Sequence, residues 1–506
     1  MNLTASATAS PKATGHRRWA VLVALCLGLF PVGLDNTALH IAVPVLSGDL
    51  GADSTQVLWI LDCYSLVMAA VLVPAGSLAD RFGHKRCLLA GLAVFALGSA
   101  IASASGSVGV LIAARAAMGV GGAFVLPASL ALLRQVFHVR KERVFAVGAW
   151  TAVGSVGSAL GPTVGGTLVQ HSWWGAVFLV NVPTLAVACT AVAWLVPRHR
   201  GTAPAPVDVA GAVLVALSLF ALVYTIKEAA RSGPSVTDCA AGMLAAGGLY
   251  AFVRRQLRHP HPLLDVALFR DRAFTVAVMC VLLAVIGVSG LEVLFAQYFQ
   301  YVLELGPQEA GLRMMPLALA TMAGSLAGGF VVGRLGVPAA LRAGLAVATL
   351  ACAPLLMAGE ADRPVLFLLC FLGLGLGFQV AVNVASETAL SAVPAERAGG
   401  AASIDATAFE VGTALGVAIP GVIAGAVYAA VIDSTTGVAA GLRDRARPSM
   451  AAAREAARQL PAADGAILRQ AAHHAFVAGL RAVTVLSLGL LVLCLVLSCL
   501  RRPSRS

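Results

Sequence analysis

What most constrains this chain is the steady return of apolar runs about 20 residues long, each closed by a loop, from residue 19 to residue 500. A run of that length, wound as a helix, crosses the roughly 30 Å hydrocarbon core of a bilayer. Spans are expected at 19–47, 55–79, 87–105, 109–133, 144–170, 173–196, 208–230, 237–253, 273–303, 309–334, 339–358, 364–390, 401–431 and 475–500. That makes fourteen. Composition agrees, with 59% apolar and 12% charged residues and a mean hydropathy of +0.87. Soluble domains carry about twice that share of charge, and disordered chains need low hydrophobicity. The chain therefore reads as an all-α polytopic membrane protein. Its first span is too long, and too interrupted by Pro31 and Asp35, for a cleaved signal peptide.

The net charge of +11 is not gathered into one domain, which argues against a nucleic-acid partner. Basic residues instead cluster at Lys12–Arg18, Arg81–Arg86, Arg134–Arg143, Arg198–Arg200, Arg254–Arg272, Arg334–Arg342 and Arg501–Arg505. These are alternate loops and both termini, so both termini are expected in the cytoplasm of a cell whose inner (plasma) membrane holds the protein. One intervening loop is long: residues 432–473, rich in Ala and Arg and broken by Pro461 and Asp464-Gly465, read as two short external helices around a turn. The 10 cysteines form no CxxC pair and mostly sit in apolar runs, where they pack as small hydrophobes.

An internal repeat sets the architecture. Gly76-Ser-Leu-Ala-Asp80-Arg81-Phe-Gly83, followed by Ala90-Gly-Leu-Ala-Val94, recurs 253 residues later as Gly329-Phe-Val-Val-Gly333-Arg334-Leu-Gly336, followed by Ala343-Gly-Leu-Ala-Val347. The copies join spans 2 and 3 and spans 10 and 11, so both face the same side. Two halves of six with an inserted pair account for fourteen. The expected units are an N-terminal six-helix bundle over 1–200, two linker helices over 201–260, and a C-terminal bundle over 261–506 that carries the external loop. Parallel halves of this kind are the architecture of alternating-access transporters.

The loop Gly76-Ser-Leu-Ala-Asp80-Arg81-Phe-Gly83-His84-Lys85-Arg86 resembles the signature loop of the major facilitator superfamily. Gly76 would permit close helix approach, while Asp80 and the basic residues would pair across the cytoplasmic face as a latch. In span 5, Gly154, Gly157, Gly161, Pro162 and Gly165 resemble that superfamily's antiporter motif. Their i+4 spacing makes a stripe without side chains, and Pro162 kinks the helix. In span 4, Arg115 with Gly119 resembles a third motif; an Arg inside a span needs a task or a partner. The stretches Leu34-Asp35-Asn36-Thr37-Ala38-Leu39-His40 and Leu58-Trp59-Ile60-Leu61-Asp62-Cys63-Tyr64 resemble the fourteen-helix drug:proton antiporters of the QacA/SmvA type. So do Gly290-Leu291-Glu292, Phe409-Glu410-Val411-Gly412 and the long external loop. One departure is Gly333, which stands where the first copy of the signature loop has Asp80.

Asp35, Asp62, Glu292 and Glu410 fall inside spans; Asp405 and Glu387 lie near cytoplasmic span ends. A carboxylate at membrane depth binds a cation, pairs or protonates. Such a group can hold either a proton or a cationic drug. The resemblance implies substrate or proton roles for Asp35, Asp62 and Glu410, and position adds Glu292 and Asp405. Asp35 and Glu292, from opposite halves at similar depth, are expected to face one central cavity. His40, off the helical face of Asp35, reads as structural. Tyr64, Tyr298 and Phe409 offer aromatic faces that ordinary packing also explains.

The expected function is proton-coupled efflux of lipophilic mono- and dications (quaternary ammonium compounds, dyes, biguanides, viologens) by a monomer. Its partners are those cations, protons and the bilayer. A self-resistance exporter of an endogenous antibiotic is the alternative, suggested by an Ala-, Arg- and Val-rich composition with four lysines. None of the four precedes Ser or Thr, so no P-loop exists for an ATP-driven pump. No catalytic constellation or metal-ligand set is present, so neither an enzyme nor a cofactor is expected.

Overall fold

The structure, a computed structural model, describes residues 15–137, 139–196, 208–232, 236–259, 264–393, 398–435 and 439–499. Among these residues there are helices and connecting turns and no strand. In chain order come α1 (Gly15–Leu50), α2 (Ser54–Phe82), α3 (His84–Ser103), α4 (Val108–Val136), α5 (Arg140–His171), α6 (Ala176–Leu179) and α7 (Asn181–Leu195). Then follow α8 (Val209–Ser232), α9 (Val236–Arg258), α10 (Arg272–Tyr301), α11 (Pro307–Leu335), α12 (Val337–Cys352), α13 (Pro364–Ser391) and α14 (Ala398–Ser434). The short α15 (Ala440–Ala446) and α16 (Met450–Arg458) precede α17 (Ala462–Cys499). The basic residues of 12–14, 198–200 and 501–505 lie outside the described residues.

Helices dominate because a chain in lipid must satisfy its backbone groups within each segment. Among the described residues, twelve helical stretches are long and apolar enough to cross a membrane. The other two expected spans are also helical: α5, in which glycines and an Arg-rich start lower the mean hydropathy, and α8, whose apolar stretch is Ala210–Ile226. Large side chains such as Trp194 and Leu350 point outward, 82% and 74% exposed, as a lipid-facing surface requires. Loop residues set the helix starts. Asp53 and Gln56 form a reciprocal capping box on α2, with bonds of 2.8 and 3.0 Å, and Asp271 caps α10.

One apolar core is drawn almost wholly from residues 21–196 and another from residues 280–494. Both copies of the repeat adopt one backbone. α2 ends at Phe82, Gly83 takes φ +95°, and α3 begins at His84; then α11 ends at Leu335, Gly336 takes φ +75°, and α12 begins at Val337. Positive φ explains why both positions are glycine. The inserted pair is pinned by Asp208. Its buried carboxylate caps Gly211 N at 2.9 Å and accepts Arg255 Nε at 2.8 Å and Gln256 Nε2 at 3.2 Å.

The two cores meet through α5 packed between α1 and α11, and through α2 against α14. At the end of the bundle that carries the turn between α1 and α2, polar contacts also cross. Gln300 Nε2 donates to Ile41 O at 3.0 Å, the Ser47 and Tyr301 hydroxyls lie 3.4 Å apart, and Ser54 Oγ donates to Pro448 O at 2.5 Å. The long loop departs from expectation. Two short helices are present, but both precede Pro461, and Asp464-Gly465 is no turn: both residues belong to the first turn of α17, which extends the last helix back to Ala462. An acid in a first turn complements the helix dipole, and Gly465 lets the Ala457 carbonyl approach, 2.6 Å from where a Cβ would stand.

Candidate substrate and coupling site

Among the buried charged groups of the N-terminal half is Arg115, on α4 and 2% exposed. It ion-pairs with Asp35 of α1, itself 1% exposed, and its Nε donates to Ile60 O of α2 at 3.1 Å. Its guanidinium lies 4.7 Å from the Tyr64 ring centroid and 6.0 Å from that of Phe178. One charge thus ties three helices together, through an acid, a carbonyl and an aromatic face. Asp62 is buried on α2 between Ile60 and Tyr64.

The remaining acids sit elsewhere. Glu292 of α10 lines a cavity of about 20 Å³ between the halves, with Thr37, His40, Pro162 and Met314 in its wall. That is room for about one water. Asp35 is not in this wall, so the structure does not place Asp35 and Glu292 in one cavity. Helix geometry separates them, because the face of α1 that meets α10 carries Thr37, His40 and Ile41, while Asp35 turns toward α4. Glu410 of α14 is 6% exposed, and its Oε2 has no hydrogen-bond partner among the described residues. Neither Glu292 nor Glu410 has an ion-pair partner among those residues. Asp405 of α14 is half-buried, and Glu387 is exposed.

The described part of the signature loop makes contacts within its own half. Lys85 Nζ donates to Ala193 O at 2.7 Å and Val196 O at 2.6 Å, capping the C-terminus of α7 within its own half. Arg81 lies over Phe82, 5.4 Å from its centroid, and Arg86 is exposed. The Asp80 side chain lies outside the described residues. Gly76 leaves room for a side chain, since a Cβ there would find its nearest neighbour, Pro127, at 4.0 Å; close packing does not explain that glycine.

The glycine stripe of α5 does pack without side chains. A Cβ on Gly157 would stand 2.6 Å from Phe30 O, and one on Gly165 2.7 Å from Ala38 O. Gly154 meets Leu29, Gly161 abuts Thr37, and Pro162 lies within the helix with its carbonyl against Gly311 of α11. Gly157→Val is expected to push α1 off α5. It should lower stability by about 1–3 kcal/mol and cut transport severely, read by melting in detergent and by vesicle uptake. An unchanged melting temperature would count against close α1–α5 packing.

This is two helical halves around buried acids, with a backbone-to-backbone clamp between them. Residues 25–417 match the sequence profile of the Major Facilitator Superfamily. The chain belongs to that superfamily. As a major facilitator protein it is a multi-pass transporter of the plasma membrane and not an enzyme. It is similar to the methyl viologen resistance protein SmvA of Salmonella typhimurium, 37% identical over 462 residues that cover 91% of this chain and 93% of that one. It is also similar to the multidrug efflux pump LfrA of Mycolicibacterium smegmatis, 36% identical over 480 residues and 95% of each chain. In fold it resembles a bacterial homologue of the human lysosomal transporter Spinster, with a TM-score of 0.68 and 16% identity, covering 98% of this chain and 100% of that one.

Two residues of this major facilitator protein are placed beyond what spacing along one helix suggests. His40 shares a wall with Glu292, a contact between helices that i+4 arithmetic on α1 does not show. Tyr298 turns away from any site: its hydroxyl donates to Gly359 O and its ring joins Phe295, Phe299 and Phe367 in core packing.

Proposed function

We propose that this protein is a proton-coupled multidrug efflux antiporter that exports lipophilic mono- and dications. The observation that carries the reading is two acids without a cationic partner among the described residues, half-buried Glu292 and buried Glu410, against an acid that has one, Asp35. An unpaired carboxylate in low dielectric is stable either protonated or facing a cation, and exchanging the two is antiport. Similarity over nearly the whole chain to proteins named for methyl viologen resistance and multidrug efflux supports the cargo class.

In this reading α5 and α8 are the thirteenth and fourteenth crossings. Both termini are cytoplasmic, and the units are 1–200, 201–260 and 261–506. The polar contacts near Ser47 and Ser54 then close the external end. Asp35 and Arg115 form the switch that couples α1, α2 and α4, with Asp62 beside it. Glu292 meets the cargo, Glu410 exchanges the proton, and Asp405 is the acid nearest the cytoplasm. Gly76, Asp80, Arg81, Gly83, Lys85 and Arg86 form the hinge between α2 and α3, and the protein works as a monomer without a cofactor.

The test is uptake of ethidium and of methyl viologen by inverted proteoliposomes under an imposed pH gradient. Gradient-driven movement of both supports the reading. Movement of a neutral antibiotic alone would favour the self-resistance exporter instead, and insensitivity to the gradient would refute proton coupling. Glu292→Gln is expected to lower methyl viologen transport about tenfold and ethidium transport less than threefold. A dication loses one of two compensating charges, and tenfold corresponds to about 1.4 kcal/mol. Equal losses for the two would remove Glu292 from cargo recognition.

A further inference from the structure

A second cavity lies away from the acids. A cavity of about 110 Å³ lies between the halves at the end where they touch, under the start of α16. Ser47, Val57 and Leu58 come from the N-terminal half. Gly290, Gln297 and Tyr301 come from α10, Gly421 and Tyr428 from α14, and Phe476 from α17; Pro448–Ala451 form the roof. None of its lining residues is acidic or basic.

The wall is built for a ring. Tyr301 and Phe476 meet edge to face, 6.3 Å between centroids at 71°, an arrangement that a further ring can extend. Gly290 and Gly421 contribute no side chains, so two helices present bare backbone. At Gly425, also in the wall, a Cβ would meet nothing within 4 Å, so the cavity opens on that side. An apolar cavity of roughly 150 Å³ holds benzene. A space of about 110 Å³ with an open side therefore takes one ring, with its substituents at the mouth. The roof is fixed rather than draped: Tyr428 donates to Ala446 O at 3.2 Å, and Ser54 Oγ donates to Pro448 O.

The electrostatics select against cations. Arg454 of α16 lies over Tyr301, 5.7 Å from the ring centroid, and its Nη1 donates to Gln300 O at 3.4 Å. Of the rings in the wall, Tyr301 already carries a cation. With no carboxylate in the wall, an ammonium group entering here meets a like charge and no compensation. We propose that this cavity is a second binding site, for uncharged single-ring aromatic molecules, from which cations are excluded by the carboxylate-free wall and Arg454. It is distinct from the acids assigned to cargo and does not depend on which cargo the protein moves.

The test is photolabelling of the full-length protein in nanodiscs with an uncharged phenyl diazirine and with its trimethylammonium-bearing analogue, sites being mapped by peptide mass spectrometry. The uncharged probe is expected to mark Tyr301 and the 448–451 segment at least tenfold more than the cationic one. Gly425→Leu fills the open side and should cut that labelling about tenfold. Gly247→Leu, at a position on α9 where a Cβ also meets nothing within 4 Å, should leave it unchanged. Arg454→Gln should raise labelling by the cationic probe several-fold. Melting temperatures confirm that each variant is folded. Equal labelling by the two probes, uncharged labelling confined to lipid-facing helices, or indifference to both Gly425→Leu and Arg454→Gln would overturn the proposal.

Discussion

Asp35→Asn is expected to stop export of every cargo and to lower stability by about 3–5 kcal/mol, the cost of stranding one member of a buried ion pair. Arg115 would keep its bond to Ile60 O and its place over Tyr64, but no group of opposite charge. The double variant Asp35→Asn/Arg115→Gln removes both charges. It should recover most of the lost stability, because neutral groups of similar shape avoid the desolvation that the charges incur. Transport should stay absent, since the switch joining α1, α2 and α4 would be gone. Melting in detergent and ethidium efflux from vesicles read the two effects apart. A single variant as stable as the parent would mean the pair does not hold these helices. A double variant that still transports would reduce it to a structural brace.

Much of the fold is legible in the sequence because lipid imposes one strong rule, an apolar run of fixed length for each crossing. The repeat is legible because its glycines, Gly83 and Gly336, are fixed by a positive φ that other residues rarely adopt. The glycine stripe of α5 is legible for a related reason, since Gly157 and Gly165 face carbonyls too near for a Cβ. What is hidden depends on contacts between helices distant in sequence. Arg115 shows itself as costly, but not that Asp35 is its partner, because 80 residues separate them. Asp35 and Glu292 have similar depths along their helices, yet rotation about α1 turns one acid to α4 and leaves His40 facing the other. Gly76 looks like a packing glycine and is not one. Lys85 caps α7, a contact that the motif does not announce. Asp464-Gly465 looks like a turn, but an acid in the first turn of a helix is equally at home, and the apolar run behind it decides the outcome.

The unpaired acid of the C-terminal half gives the second large effect. Glu410 is enclosed, and it lacks a cationic partner among the described residues. If it exchanges the coupling proton, Glu410→Gln is locked in the neutral form and cannot turn over a proton in either direction. The variant should still bind ethidium, because a neutral side chain of nearly the same shape leaves the packing of α14 intact. Gradient-driven export should fall at least tenfold, while downhill exchange of ethidium persists at close to the parent rate. The most direct measurement is therefore ethidium transport by parent and Glu410→Gln proteoliposomes across a range of imposed pH gradients. The account predicts a parent rate that rises steeply with the gradient and a variant rate that is flat. A variant that follows the gradient as the parent does would contradict it.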